Sequence, residues 1–254
     1  LPEGVPGFHG APGTRTDRRN LIEEAEQNGY TVVYNREQLM ALDPGSEGKV
    51  LGVFAPTQTF NDKPEQILKE AGLPLYYEDA PTFSEMTFFA LRFLNAKGAP
   101  FFLVAEEEGT DNFSNNGNAS GMLEAARRAD AAIGHAVDFV GTHPETLLVV
   151  AADSNAGNPA IQAIDNELMQ TRPLPPHSPH GAPIDGRDGT ASEPFVSDPD
   201  AQGKEHYFAI IWPDYGDFHG GVLARAHGLN SEFLPNNVQN SDIYRLMYVT
   251  LFGE

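Results

Sequence analysis

Hydrophobic and polar positions divide the chain into short apolar runs and longer mixed stretches. Four apolar runs have the continuous pattern of strands buried between helix layers: residues 50–54, 101–105, 146–152 and 207–212. Four longer stretches are predicted to be helices, most clearly where apolar residues recur at helical spacing: residues 20–29, 82–97, 119–141 and 241–252. Strands that alternate with helices predict an α/β protein with a mostly parallel central sheet flanked by helices.

Local signals support two further predictions. Thr82 and Glu85 fit an N-terminal cap for the helix over residues 82–97. Residues 171–205 are dense in Pro, Gly, Asp and His and lack periodicity, which predicts a long irregular insertion. The length of 254 residues fits one large domain or two small ones, so length alone does not decide the number of domains.

The excess of acidic residues restricts the kinds of molecule that the protein is expected to bind. The chain has 16 Lys and Arg against 36 Asp and Glu, a net charge of −20. Such a surface repels phosphate backbones, which argues against nucleic-acid binding, and it suits a site that gathers cations.

No apolar run approaches the roughly 18 residues of a membrane span, so we expect no membrane segment. The absence of cysteine rules out disulfides and thiolate metal sites.

Metal-capable side chains follow three of the predicted strands. In chain order they are Glu106 and Asp111, then Asp153 and Ser154, then Asp214, Asp217 and His219. The carboxyl ends of neighbouring parallel strands meet at one edge of a sheet, where ligands bind. Clustered carboxylates are costly without a cation, so a metal ion is the natural counter-charge. The alternative is that these acids cap helices or face solvent, as is common in so acidic a chain.

The same segments resemble those of the alkaline phosphatases. Residues 101–111 (FFLVAEEEGTD) are similar to that family's strand with a magnesium-ligating Glu, here Glu106, followed by a zinc-ligating Asp, here Asp111. Residues 142–150 (THPETLLVV) are similar to the family's lead into its next strand. The resemblance implies the family's fold and the hydrolysis of phosphate monoesters with divalent cations.

Two departures from the family's pattern concern imidazole ligands. The Ala-Asp at residues 152–153 matches the start of the family's Ala-Asp-His motif, but Ser154 stands where the histidine is expected. Asn115 replaces another metal-ligating histidine, whereas the His-Gly-Gly at residues 219–221 resembles the family's final His-Thr-Gly. Because oxygen donors suit magnesium and calcium better than zinc, we favour Mg²⁺ or Ca²⁺ over Zn²⁺ as the cofactor.

The predicted metal ligands combine the strand ends with the resemblance. Asp217 is the substitute ligand if His219 points away from the site. Asparagine and serine also fit a decayed site, in which they only satisfy local hydrogen bonds. The complete predicted set is Glu106, Asp111, Asn115, Asp153, Ser154, Asp217 and His219.

A nucleophile is missing from the printed sequence. The family's serine lies in an Asp-Ser-Ala-Ser-like segment that has no counterpart in residues 1–254. The resemblance therefore predicts no catalytic residue in this chain. It predicts that residues 1–254 are a single alkaline-phosphatase-like domain, the C-terminal portion of a longer protein. An N-terminal portion would supply the nucleophile and the first strands of the sheet.

Two functions remain as hypotheses. The first is a divergent, exported alkaline-phosphatase-type hydrolase of phosphate monoesters in the periplasm or outside the cell. Export is inferred from the family and from Leu1 in place of an initiator methionine. The expected partners are the N-terminal portion and a phosphate ester, without nucleic acid or membrane, and a homodimer is one possible assembly. The second function is that of a catalytically inactive, phosphatase-like structural or binding protein.

Overall fold

The computed structural model describes residues 1–3, 11–218 and 220–253, which form two compact units. The first unit consists of Leu1–Asn61 and Pro74–Glu106. The second consists of Asp62–Leu73 and the chain from Glu107 onward. Residues 62–73 therefore belong to the second unit, although residues of the first unit flank them on both sides. None of the helices described has the length and hydropathy of a membrane span.

Helices and strands alternate from α1 to β2, four helices follow one another, and strands dominate the remainder of the described chain. In chain order the elements are α1 (Leu21–Gln27), β1 (Tyr30–Val33), α2 (Arg36–Ala41), β2 (Lys49–Gly52), α3 (Glu65–Ala71), α4 (Phe83–Asn95), α5 (Gly109–Asn115), α6 (Ala119–Thr142), β3 (Leu147–Ala151), β4 (Ala160–Ala163), β5 (Ile184–Gly186), β6 (Gly189–Thr190), β7 (Phe195–Val196), β8 (Tyr207–Ile211), β9 (Ala224–Gly228) and α7 (Asn240–Phe252). Short 3₁₀ turns lie at Glu167–Met169 and Ser231–Phe233. The predicted mixture of helices and strands is confirmed.

The first unit builds its core between strand β1 and the helices α2 and α4. Val33, Leu39, Phe89 and Phe93 form a buried cluster. The rings of Phe89 and Phe93, one helical turn apart on α4, stack with their centroids 5.6 Å apart. Strands β1 and β2 pair in parallel. Because these contacts bury the apolar face of α4, tertiary packing stabilises this amphipathic helix.

Helix α4 begins with the predicted cap. The Oγ1 of Thr82 accepts a hydrogen bond from the backbone N–H of Glu85 (3.2 Å), and the Glu85 carboxylate accepts one from the backbone N–H of Thr82 (3.0 Å). This reciprocal pair satisfies two N–H groups that have no partner inside the helix. The same carboxylate accepts a hydrogen bond from Nε of Arg36 at 2.8 Å, which links α2 to α4.

The second unit contains two small sheets. Strands β3 and β9 form an antiparallel pair. In the other sheet, β8 pairs with β4, β5 and β7, and β6 extends the sheet beyond β5. Every described strand pair of this unit is antiparallel.

The prediction of a mostly parallel central sheet is therefore wrong for the described strands. Only β1 and β2 pair in parallel within that part of the chain. A continuous apolar run indicates that a strand is buried, but it carries no information on the direction of the neighbouring strand. The strands that we predicted near 146–152 and 207–212 do form, as β3 and β8, but their partners run in the opposite direction.

The apolar run at residues 101–105 also differs from its prediction as a buried strand. It has no strand assignment, and the side chains of Phe102 and Val104 are 59% and 75% exposed. A strand needs a neighbouring strand to pair its backbone N–H and C=O groups, and an apolar composition alone does not supply one. The run therefore presents apolar side chains at the surface of the first unit.

Residues 171–205, which we predicted as an irregular insertion, contribute β5, β6 and β7 to the sheet around β8. Leu174 and Ile184 from this segment pack with Ala209 of β8 in a buried cluster. The backbone N–H of Leu174 donates to the carbonyl of Ser192 at 2.8 Å, which joins two parts of the segment. The segment is thus part of the core of the second unit.

Candidate functional site

Helix α5 presents two of the predicted ligands on one face. Asp111 and Asn115 are four residues apart, so their side chains lie side by side on the helix. Phe113 lies between them in sequence and is buried, which anchors the opposite face of the helix. At the start of α5, the backbone N–H of Gly109 donates to Oε1 of Glu107 at 3.0 Å.

The side-chain amide of Asn115 joins two carboxylates. Its Nδ2 donates to Oδ1 of Asp111 at 2.8 Å and to Oδ1 of Asp217 at 3.0 Å. Asp217 lies in the segment that follows β8. A neutral amide group therefore stands between two acids that would otherwise repel each other.

Ser154 completes this group from the loop that follows β3. Its Oγ donates to Oδ2 of Asp111 at 3.1 Å. Both oxygens of Asp111 therefore accept a hydrogen bond. We refer to Asp111, Asn115, Ser154 and Asp217 as the Asp111 cluster.

The pKa of Asp111 is raised above its ordinary value. Burial is the largest cause, and the negative charges of Asp217 and Asp153 add to it. The hydrogen bonds from Ser154 and Asn115 act in the opposite direction, because they stabilise the ionised carboxylate. Among the described residues, no Lys or Arg forms an ion pair with these three acids. The site accordingly favours an additional positive charge.

One buried oxygen in the Asp111 cluster has no hydrogen-bond partner among the described residues. Oδ1 of Asn115 is buried and accepts no hydrogen bond from any described residue. An unpaired buried acceptor is costly, and a carboxamide can turn by 180° to exchange its oxygen and nitrogen. Such a turn would direct Oδ1 of Asn115 towards the oxygens of Asp111 and Asp217. The resulting donors are oxygen only, which fits a hard cation such as Mg²⁺ or Ca²⁺.

The other predicted ligands have different positions. Asp153 is exposed next to Ser154, and its charge acts on Asp111. Glu106 is exposed and is the last residue of the first unit. His219 lies outside the described residues. Within the described ranges, no group of three or more His, Asp or Glu side chains could together hold a metal ion, so the cluster depends on Asn115 and Ser154 for its remaining donors.

Sequence reasoning missed two acids of the second unit: Asp185, which is buried, and Glu65, whose Oε2 is buried. Burial raises the pKa of both carboxyl groups. Asp185 accepts hydrogen bonds from Nε1 of Trp212 at 2.6 Å and from Oγ1 of Thr190 at 2.7 Å. The one available signal was that Trp212 is the only tryptophan of the chain and comes at the end of an apolar run.

Comparison with known proteins identifies the family. The family model described as Alkaline phosphatase matches residues 4–172. The alkaline phosphatase of Gadus morhua is 31% identical over 153 residues, which cover 58% of this chain and 30% of that protein. The tissue-nonspecific isozyme of alkaline phosphatase from Rattus norvegicus is 28% identical over 252 residues, which cover 96% of this chain and 41% of that protein. The chain belongs to the alkaline phosphatase family, and it spans less than half the length of these relatives.

The fold is similar to that of a solved alkaline phosphatase. The enzyme from the Antarctic bacterium TAB5 gives a TM-score of 0.61 at 18% identity, over 93% of this chain and 56% of that chain. A mutant of the TAB5 enzyme with Mg bound gives the same TM-score of 0.61 at 19% identity, with the same coverage. At such low identities the similarity establishes the fold only. The chemistry of the site is inferred from the residues of this chain.

Proposed function

We propose that this chain is the C-terminal portion of a divergent alkaline-phosphatase-type hydrolase that cleaves phosphate monoesters with a divalent cation. Membership of the family supports the class of reaction. The observation that carries the proposal is the Asp111 cluster, in which two carboxylates, an amide and a hydroxyl meet at 2.8 to 3.1 Å. An acidic, partly buried group of this kind can hold a cation close to an anionic substrate.

The donors of the cluster favour magnesium or calcium over zinc. Asp111 and Asp217 offer carboxylate oxygens, and Ser154 offers a hydroxyl oxygen. Asn115 would offer Oδ1 after its amide has turned. Zinc prefers nitrogen and sulfur ligands, whereas magnesium and calcium prefer oxygen. When bound, the cation would neutralise phosphoryl oxygens and lower the pKa of a bound water.

Three further ligands are proposed from their positions after predicted strands and from the resemblance. Glu106 and His219 occupy the positions of family ligands in the sequence. Asp153 has in addition the support of its charge, which acts on Asp111. Glu106 and Asp153 would add carboxylate oxygens towards the six to eight that calcium takes, whereas His219 would add an imidazole nitrogen.

The nucleophilic serine is proposed to come from an N-terminal portion of the same protein. The printed sequence has no counterpart of the family's nucleophile segment, and it corresponds to 30% and 41% of the length of two relatives. Exposed apolar side chains in both units support such a partner: Phe102, Val104, Ile161 and Leu223. Apolar surface of this kind marks places where another part of a protein packs.

The location is proposed from the family resemblance and from the charge of the chain. A periplasmic or extracellular location follows from the family resemblance, and the surplus of 20 negative charges suits saline surroundings. The homodimer and the absence of nucleic-acid and membrane partners stay predictions. A phosphate ester is the proposed substrate because the family model matches residues 4–172.

The test is a metal-dependent assay of the complete protein isolated from its source. Hydrolysis of p-nitrophenyl phosphate is measured after chelation and after addition of Mg²⁺, Ca²⁺ or Zn²⁺. We expect chelation to abolish the activity and Mg²⁺ or Ca²⁺ to restore it best. Asp217→Ala should lower kcat/KM by about 10- to 100-fold. Intact-mass measurement of the same material shows whether an N-terminal portion accompanies the 254 residues.

A matched control lies three residues before Asp217. Asp214 is exposed in the same segment, and its Oδ1 accepts only the backbone N–H of Tyr215 (2.8 Å) among the described residues. Asp214→Ala should leave kcat/KM unchanged. Rates that are independent of metal, or equal losses in both variants, would contradict the proposed site.

The inactive, phosphatase-like protein is the second candidate, and one observation favours it. Nδ2 of Asn115 already donates to one oxygen of Asp111 and to one oxygen of Asp217. Hydrogen bonds therefore hold the cluster together without an ion. This candidate predicts no hydrolysis by the complete protein with any of the three cations. It also predicts that the protein binds none of them.

A further inference from the structure

The segments that carry the Asp111 cluster meet on one buried side chain, Trp212. Gly117 follows α5, which carries Asp111 and Asn115, and a Cβ at Gly117 would lie 3.8 Å from the indole ring. Gly157 follows Ser154 in the loop after β3, and a Cβ there would lie 3.2 Å from the same ring. Trp212 itself stands at the start of the segment that leads to Asp217. The indole is therefore common to all three segments.

The backbone approaches the indole so closely because glycine occupies both contact positions. Gly117 and Gly157 have φ angles of +59° and +63°, in the left-handed region that other residues rarely adopt. A Cβ at Gly157 would also lie 2.5 Å from the carbonyl oxygen of Ser114. The backbone N–H of Gly157 donates to the carbonyl of Gly216 at 3.1 Å, so the loops of Ser154 and Asp217 are bonded to each other.

A buried acid from residues 171–205 fixes the indole. Nε1 of Trp212 donates to Oδ2 of Asp185 at 2.6 Å, and Oγ1 of Thr190 donates to the other carboxylate oxygen at 2.7 Å. Asp185 and Trp212 are each 1% exposed. The backbone N–H of Trp212 donates to the carbonyl of Pro183 at 3.0 Å. Side chain and backbone of Trp212 are thus both held by the same segment.

We propose that Asp185 and Trp212 are a positioning pair that sets the geometry of the Asp111 cluster, and that residues 171–205 supply this pair. The inference rests on the proposed function, because it assumes that the cluster binds a cation. A binding site loses much of its affinity when its donors move by about 1 Å. The hydrogen bond from Asp185 restricts rotation of the indole, and the indole limits how far the three segments can shift.

The test uses cation affinity as its readout. Ca²⁺ and Mg²⁺ are titrated into the complete protein, and calorimetry measures the affinity for each cation. The fluorescence emission of Trp212, the only tryptophan of this chain, is a second readout where its signal is separate from that of tryptophans elsewhere in the complete protein. We expect Asp185→Ala to weaken cation binding by about 10- to 100-fold. Asp185→Asn should rescue binding to within about threefold, because an amide can accept from the indole N–H and donate to Thr190.

Two further variants separate positioning from general stability. Asp188→Ala removes an exposed acid from the same segment and should leave the affinity unchanged. Trp212→Phe retains an aromatic ring but removes the N–H, and we expect weaker cation binding in the folded protein. If Asp185→Ala does not fold, Trp212→Phe tests the positioning role in its place. A purely structural role would lower the melting temperature and leave the affinity of the folded protein unchanged.

The outcomes distinguish this inference from the proposed function. If the unaltered protein binds neither Ca²⁺ nor Mg²⁺, the proposed function fails. If the unaltered protein binds a cation and folded Asp185→Ala and Trp212→Phe bind it equally well, only the positioning role fails. Loss in both variants with rescue by Asp185→Asn supports the positioning pair.

Discussion

The carboxylate of Glu65 lies at the N-terminus of α6, where its Oε1 accepts a hydrogen bond from the backbone N–H of Ser120 at 3.1 Å. The first N–H groups of a helix lack partners inside it, and the helix dipole favours an anion at this end. Oε2 of Glu65, by contrast, is buried and has no hydrogen-bond partner among the described residues. Burial raises the pKa of Glu65 to about 7, and the charge of Asp185 adds to the rise.

This raised pKa predicts how stability changes with pH. Glu65 has an ordinary value of 4.5 in the unfolded chain, so its proton is held more tightly by the folded state. Its contribution to stability is present below pH 4.5 and is lost as the pH rises to about 7. Glu65→Gln cannot ionise and should be more stable than the unaltered protein above pH 7, by up to about 3 kcal/mol. Urea unfolding at several pH values measures the difference.

A neighbouring residue on α3 provides the control for this experiment. Glu70 is exposed on the same helix, and Glu70→Gln should change stability by less than about 0.5 kcal/mol at every pH. The advantage of Glu65→Gln should shrink towards pH 4.5, where Glu65 is protonated in the folded state. An advantage that is constant across the pH range would show that ionisation of Glu65 is not its cause.

Asn115→Asp tests whether the Asp111 cluster accepts a cation. The change places a third carboxylate beside Asp111 and Asp217 and removes the amide that donates to both. Without divalent cations, the repulsion should lower the melting temperature by about 2–4 °C, the shift that a loss of about 1 kcal/mol produces in a protein of this size. With Ca²⁺ in excess, the melting temperature should rise further in the variant than in the unaltered protein. Thermal unfolding with chelator and with Ca²⁺ measures both effects.

The matched change for this prediction is Asn237→Asp in an exposed part of the second unit. It adds the same charge away from the Asp111 cluster. Its melting temperature should respond to Ca²⁺ as the unaltered protein does. If Asn115→Asp shows no extra response to Ca²⁺ or Mg²⁺, the three acids do not form a cation site.

Features with a local physical cause are predictable from the sequence. The cap of Thr82 and Glu85 follows from residues three positions apart, and α4 and α6 follow from apolar spacing within one segment. Strand direction is different, because an apolar run such as that of β3 does not specify whether the neighbouring strand is parallel or antiparallel. The antiparallel partner of β3 is β9, which the apolar pattern does not specify.

Only part of the candidate site could be predicted. Their positions after predicted strands and the family resemblance predict that Asp111 and Ser154 belong to one site. The contact between Asn115 and Asp217 joins the end of helix α5 to a loop about 100 residues later in the chain, and hydrophobic periodicity does not predict such a contact. Asp185 was missed because it lies in a segment without periodicity, where an acid is normally exposed. The hydrogen bonds from Trp212 and Thr190 compensate for its burial.

The core of the first unit gives a stability prediction that does not depend on function. Phe89 is buried against Val33, Leu39 and Phe93. Phe89→Ala should destabilise this unit by about 3–5 kcal/mol, because it removes buried apolar surface and leaves a cavity. Phe88, its neighbour on α4, is exposed, and Phe88→Ala should cost less than about 1 kcal/mol. Equal losses in chemical unfolding would contradict the burial of Phe89.

The backbone conformation of Gly157 and its surroundings both exclude a side chain at this position. Its φ of +63° disfavours other residues, and a Cβ would lie 2.5 Å from the carbonyl oxygen of Ser114. Gly157→Ala should destabilise the second unit by more than about 1 kcal/mol. Gly134, within α6, has open space around its Cβ position, so Gly134→Ala should stabilise the helix by about 0.5–1 kcal/mol. Opposite signs in thermal unfolding would support the close approach at Gly157, whereas stabilisation by both changes would exclude it.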